Sequence, residues 1–70
     1  MKTNRYLLVY MGEGAMPSAD VAYFRASSHV LDQSRRCLLV DDQAEHLREL
    51  LRIKHQWQFQ PEQLRKPLAS

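Results

Sequence analysis

The side chains of this chain that could do chemistry are few and scattered. One cysteine, Cys37, stands among three histidines, His29, His46 and His55, which invites a thiol–imidazole pair. Cys37, however, opens the apolar run Cys37-Leu38-Leu39-Val40, where a thiol acts as a small buried hydrophobe. No Cys-x-x-Cys spacing accompanies it, and Glu45, His46 and Glu49 read as the wet side of a helix rather than as metal ligands. Asp41-Asp42 could pair for acid–base work, but neighbours on an extended segment point apart, and Asp42 is placed to cap a helix. Gly12-Glu13-Gly14 follows an apolar run, as the opening of a dinucleotide loop does. The position of the third glycine is Pro17, and no acidic residue follows at the required distance on a strand, so the segment reads as a turn. No catalytic residue, cofactor or metal is therefore expected, and the chain reads as non-enzymatic.

Composition sets the frame for what remains. Seventy residues make one domain, and a chain this short buries only about 60% of its unfolded surface. A 44% hydrophobic and 26% charged composition is that of an ordinary globular protein. We expect a compact domain over residues 1–61 and a flexible tail over residues 62–70. A net charge of +2 is too small to demand a nucleic-acid partner. A lone cysteine cannot close an internal disulfide, which makes a reducing compartment the default. The apolar stretch over residues 6–11 falls short of a leader's core of about 7–15 residues, and Gly12 interrupts it. No run approaches the roughly 18 apolar residues of a membrane span, so a cytoplasmic protein with no membrane partner is expected.

The elements that must position these residues follow from patterning. Residues 5–11 read as a strand, with Tyr6, Leu8 and Tyr10 on one side and Leu7, Val9 and Met11 on the other. Ser18 is placed to cap a short helix that carries Asp20 in its first turn, Val21 and Phe24 on its apolar stripe, and ends near Ser27-Ser28. His29-Val30-Leu31 and Cys37-Leu38-Leu39-Val40 flank the polar cluster Asp32-Gln33-Ser34-Arg35, which reads as a hairpin; a helix extended through Leu31 is the competing reading. Asp42 and Glu45 have the spacing of a capping box, and Ala44, Leu47, Leu50 and Leu51 then recur on one helical face to about Ile53 or Lys54. Gln56-Trp57-Gln58-Phe59-Gln60 alternates strictly and stops at Pro61, as a half-buried strand does.

Strand, helix, strand, strand, helix, strand, joined by right-handed crossovers, predicts an α+β ferredoxin-like sandwich with two helices on one face of a four-stranded antiparallel sheet. The other face must then be solvated or used. If Leu7, Val9 and Met11 pack under the helices, Tyr6, Leu8 and Tyr10 form the open face, a large apolar surface for so small a protein and hence a partner surface. The register could invert this assignment. A self-complementary apolar patch would also serve a homodimer. The nucleic-acid alternative rests on Arg35, Arg36, Lys54 and Arg65, yet the third strand offers no aromatic on which a base could stack.

The frame Tyr6-Leu7-Leu8-Val9, Ser18-Ala19-Asp20-Val21, Leu38-Leu39-Val40, Gln43 to Leu50, and Trp57-Gln58-Phe59-Gln60-Pro61-Glu62-Gln63 resembles the subtilisin-propeptide-like inhibitor family. The resemblance implies a protein that docks on a protease through its open sheet face and lays its C-terminal tail in the substrate cleft. In this chain it implies Tyr6, Leu8 and Tyr10 as docking surface and Pro61, Glu62, Gln63 and Leu64 as the inserted segment; from the residues themselves, the partner contact is expected at the open sheet face or along the edge strand and tail from Trp57 onward. An extended segment in an enzyme cleft is strand addition, in which backbone hydrogen bonds supply much of the affinity.

Overall fold

The computed structural model describes residues 3–62. Its elements run β1 (Asn4–Tyr10), α1 (Ser18–Ser27), β2 (His29–Gln33), β3 (Cys37–Asp42), α2 (Ala44–Ile53) and β4 (Trp57–Pro61). The strands form one antiparallel sheet in the order β2-β3-β1-β4, so β1 and β3 are central and β2 and β4 are edges. This is the expected α+β fold, with the strand order of a ferredoxin-like sandwich. The hairpin reading of residues 29–40 holds, and α1 stops at Ser27 instead of continuing through Leu31.

A single cluster of Leu8, Tyr10, Phe24, Leu38, Val40, Leu47, Leu50 and Trp57 makes the core. Its sheet members are even-numbered on β1 and β3, and the registers Tyr6↔Val40, Leu8↔Leu38, Leu8↔Phe59 and Tyr10↔Trp57 put them on one face. Phe24 of α1 and Leu47 and Leu50 of α2 close on that same face, so both helices cover it, and among the described residues no layer covers the opposite face. The aromatic centre is tight: the Trp57 ring centroid lies 4.9 Å from that of Phe24 and 5.3 Å from that of Tyr10.

Two helix starts differ from expectation. Pro17, not Ser18, holds the cap position of α1, and no side chain caps it; the Pro17 carbonyl accepts the Asp20 and Val21 N–H groups, each at 3.1 Å. The proline ring already fixes the backbone torsion a helix entry needs, so a side-chain cap is less necessary. At α2 the cap position is Gln43, and Asp42 belongs to β3. Its carboxylate accepts the Gln43 N–H at 2.7 Å and the Ser28 hydroxyl, and lies 2.6 Å from Nδ1 of His46. Instead of closing a capping box with Glu45, Asp42 pins the start of α2 to the junction of α1 and β2. Among the described residues no helix is long and apolar enough to cross a membrane.

Candidate interaction surface

The registers that build the core also decide what lies outside it. Leu8 is fully buried, Tyr10 is 5% exposed, and Tyr6 packs against the core with its ring 5.5 Å from Phe59 in an edge-to-face arrangement. The expectation that Tyr6, Leu8 and Tyr10 form the open face is therefore corrected: all three point under the helices. Trp57, expected at a partner contact, is 3% exposed and donates its indole N–H to the Asp20 carboxylate at 2.9 Å. The reason is size. Aromatic rings remove the most area from water, and β1 and β4 align Tyr6 and Tyr10 with Phe59 and Trp57 beneath the helices.

The face without a roof carries the other half of β1 and β3. Leu7 pairs with Leu39 and Val9 with Cys37, and all four are half-buried although no layer of the described residues lies over them. Arg5 and Asp41 pair at one end, Gln58 and Gln60 flank the quartet on β4, and Asp32 flanks it on β2. Met11 continues the apolar line at 55% exposed. A shallow depression of about 150 Å³ lies between Leu7, Cys37, Leu39, Asp32 and Glu62. The result is an apolar centre with a polar rim, the anatomy of a protein–protein contact.

The sheet edges are less available than the face. On β4, antiparallel alternation directs the Gln58 and Gln60 backbone groups inward to β1, in phase with the flanking bonds Met11 N–H to Gln56 and Glu62 N–H to Arg5. That leaves Trp57, Phe59 and Pro61 facing outward. The Trp57 N–H is taken by the Lys54 carbonyl at 3.2 Å and Pro61 has none, so only the Phe59 N–H remains for an added strand. On β2 the ladder is broken by a bulge between Val30 and Asp32, and the Asp32 carboxylate takes the Gln33 N–H. Both edges are blunted in ways that discourage strand pairing.

Pro61 and Glu62 sit at the end of the sheet. Glu62 extends the ladder through its N–H to the Arg5 carbonyl at 3.0 Å, and its carboxylate lies 3.4 Å from the Arg5 guanidinium. Gln63 and Leu64, the remainder of the expected inserted segment, lie outside the described residues.

The cations of the nucleic-acid alternative are not gathered into one patch. Arg36 turns inward and donates to the carbonyls of Tyr10, Gly12 and Gly14 at 2.8, 2.6 and 2.7 Å, with its guanidinium over the Tyr10 ring. Lys54 lies 3.0 Å from the Asp20 carboxylate and over the Tyr23 ring. Arg35 is exposed on the β2–β3 turn, and Arg65 lies outside the described residues.

The structure also assembles a cluster that spacing did not reveal, Ser28, Asp42 and His46. It has the residue types of a hydrolase triad but not its order. The Ser28 hydroxyl donates to the same Asp42 oxygen that meets His46, so the imidazole has no contact through which to take the serine proton. The hydrogen bonds from Ser28, Gln43 and His46 outweigh the burial of Asp42 and hold its carboxyl below the ordinary value. Asp20 is likewise lowered, chiefly by the Trp57 N–H, with burial opposing and Lys54 assisting. Cys37 is half-buried and paired with Val9 on the open face, and no group of three metal-ligating side chains occurs among the described residues. Comparison of the chain with protein-family models, curated proteins and solved structures finds no match in any of them.

Proposed function

We propose that this protein is a non-enzymatic binding module that docks another protein through its open sheet face and acts as a regulator or inhibitor of that partner. The observation that carries the reading is the quartet of Leu7, Val9, Cys37 and Leu39, paired across the two central strands with no layer above it among the described residues. Buried contact of the order of 25 cal/mol per Å² of apolar area would favour covering it, and the polar rim supplies register. The blunted edges favour a partner that packs on the face over one that adds a strand. In the protease-inhibitor version of this reading, Leu7 and Leu39 take the docking place first expected of Tyr6, Leu8 and Tyr10, and the segment from Pro61 to Leu64 reaches the cleft.

The test uses the double substitution Leu7→Arg, Leu39→Arg, which loads the face with charge and leaves the core untouched. Sedimentation or light scattering reports whether the wild-type chain pairs with itself. Inhibition of a panel of subtilisin-like serine proteases and affinity capture from the native host report other partners. Self-association, inhibition or a captured protein that is lost in the folded double variant supports the proposal. Behaviour identical in wild type and variant across all three measurements refutes it.

A further inference from the structure

A second concave site lies on the helix side of the molecule, between α1 and the β2–β3 turn. Ser18, Val21, Ala22 and Arg25 recur at helical spacing and form its one wall, Gln33 to Arg35 form the other, and Ala15 and Met16 close the end. It is an open groove of about 410 Å³ in which Met16 and Val21 are half-buried and the other lining residues exposed. Met16, Val21 and Ala22 give it an apolar lining. Arg25 and Arg35 line it as well, and among the described residues no carboxylate does.

Neither guanidinium belongs to any of the ion pairs among the described residues, which join Arg5 to Glu62, His46 to Asp42, Arg52 to Glu49 and Lys54 to Asp20. Among the described residues Arg25 donates only to the neutral Gln33 side chain, at 2.7 Å, a bond that holds the guanidinium without neutralising it. Planar guanidinium forks match carboxylates in two-point geometry, and the apolar lining suits a hydrocarbon body. The loop below is itself held in place, because Arg36 ties the Gly14 carbonyl, next to Ala15, to the start of β3.

From this geometry we infer that the cavity binds a small amphiphilic anion, a carboxylate on an apolar body, with Arg25 and Arg35 holding the head and Met16, Val21 and Ala22 the chain. This inference is independent of the sheet-face reading. Octanoate titrated into the isotope-labelled full chain is the direct probe, followed by amide chemical shifts. Shifts confined to residues 15–25 and 33–35, saturating with octanoate and much weaker with octanol, are expected. Arg25→Gln with Arg35→Gln should weaken binding about tenfold or more, since two charge-assisted contacts are lost. Arg35→Gln alone, at an exposed turn position, gives the same direction should the double variant unfold. Absence of saturable shifts at millimolar octanoate, shifts confined to the open sheet face, or equal binding of octanol would overturn the assignment.

Discussion

Leu7 and Leu8 are adjacent, chemically identical and predicted to behave oppositely when truncated. Leu8 is fully buried between the helices and both sheet neighbours, Leu38 and Phe59. Leu8→Ala loses the transfer energy of the removed carbons and leaves a cavity, together about 2–5 kcal/mol for a site of this kind. Leu7 is half-buried with no layer of the described residues above it, so Leu7→Ala removes little buried area and forms no enclosed cavity; about 1 kcal/mol or less is expected. A domain of this size holds only about 4–10 kcal/mol in total at typical per-residue stability. At roughly 4–8 °C per kcal/mol, Leu8→Ala should lower the melting temperature by at least about 8 °C and Leu7→Ala by a few degrees. Urea denaturation followed by circular dichroism gives the same comparison at constant temperature, with a common slope expected for both variants. Equal losses, or a greater loss for Leu7→Ala, would mean that the β1–β3 register is slipped by one residue. Such a slip exchanges the two faces of the central strand, and the interaction surface described above would go with it.

Two further predictions concern the loop and the acid limb of stability. A Cβ at Gly12 would lie 2.5 Å from Cζ of the Tyr10 ring, which is held by the core and by Arg36, so Gly12→Ala should cost about 1–3 kcal/mol in chemical denaturation; a neutral result would show that the ring is free to move. Asp20 and Asp42 both have carboxyls lowered in the folded state, so the unfolded chain binds more protons than the folded one as pH falls through the carboxylate range. Their contribution is present above the unfolded value near 3.8 and is lost as pH falls through the lower folded values, so Asp42→Asn should flatten the acid side of a stability–pH profile; an unchanged profile would remove Asp42 from the account.

Five of the six elements were legible without a competitor from local signals such as the Gln/aromatic alternation of residues 56–60 and the spacing of Leu47, Leu50 and Leu51, whereas β2, with its short run His29-Val30-Leu31 before a polar turn, also read as an extension of α1. The face of β1 was not legible. Tyr6-Leu7-Leu8-Val9-Tyr10 is apolar on both sides, as a central strand is, and its alternation alone selects neither. What selects is non-local. The strand beside it, β4, declares its covered side through Trp57 and Phe59, and the pairing Tyr10↔Trp57 transfers that choice to β1. Ring size was the available clue, since two tyrosines outrank leucine, valine and methionine in area removed from water. The Asp42 pin escaped for a related reason. Ser28 and His46 are 14 and 4 residues from it, and only the packed sandwich brings both to one carboxylate. The cavity beside α1 likewise depends on the approach of the hairpin turn to the helix, which no spacing rule states.

Inverting the face changes which residues are proposed to bind but not why binding is proposed. A two-layer sandwich with both helices on one side must leave a sheet face to water, and a central strand paired on both edges cannot be shortened or capped to hide it. Polar substitution on that face is the ordinary remedy, and β4 adopts it with Gln58 and Gln60. β1 and β3 do not, although alternating polar residues there would cost the core nothing. The same chain blunts both sheet edges, with Pro61 on one side and a bulge on the other. Protection of the edges beside an unprotected apolar centre is consistent with a surface that is covered by a partner's own packed face and guarded against open-ended strand pairing.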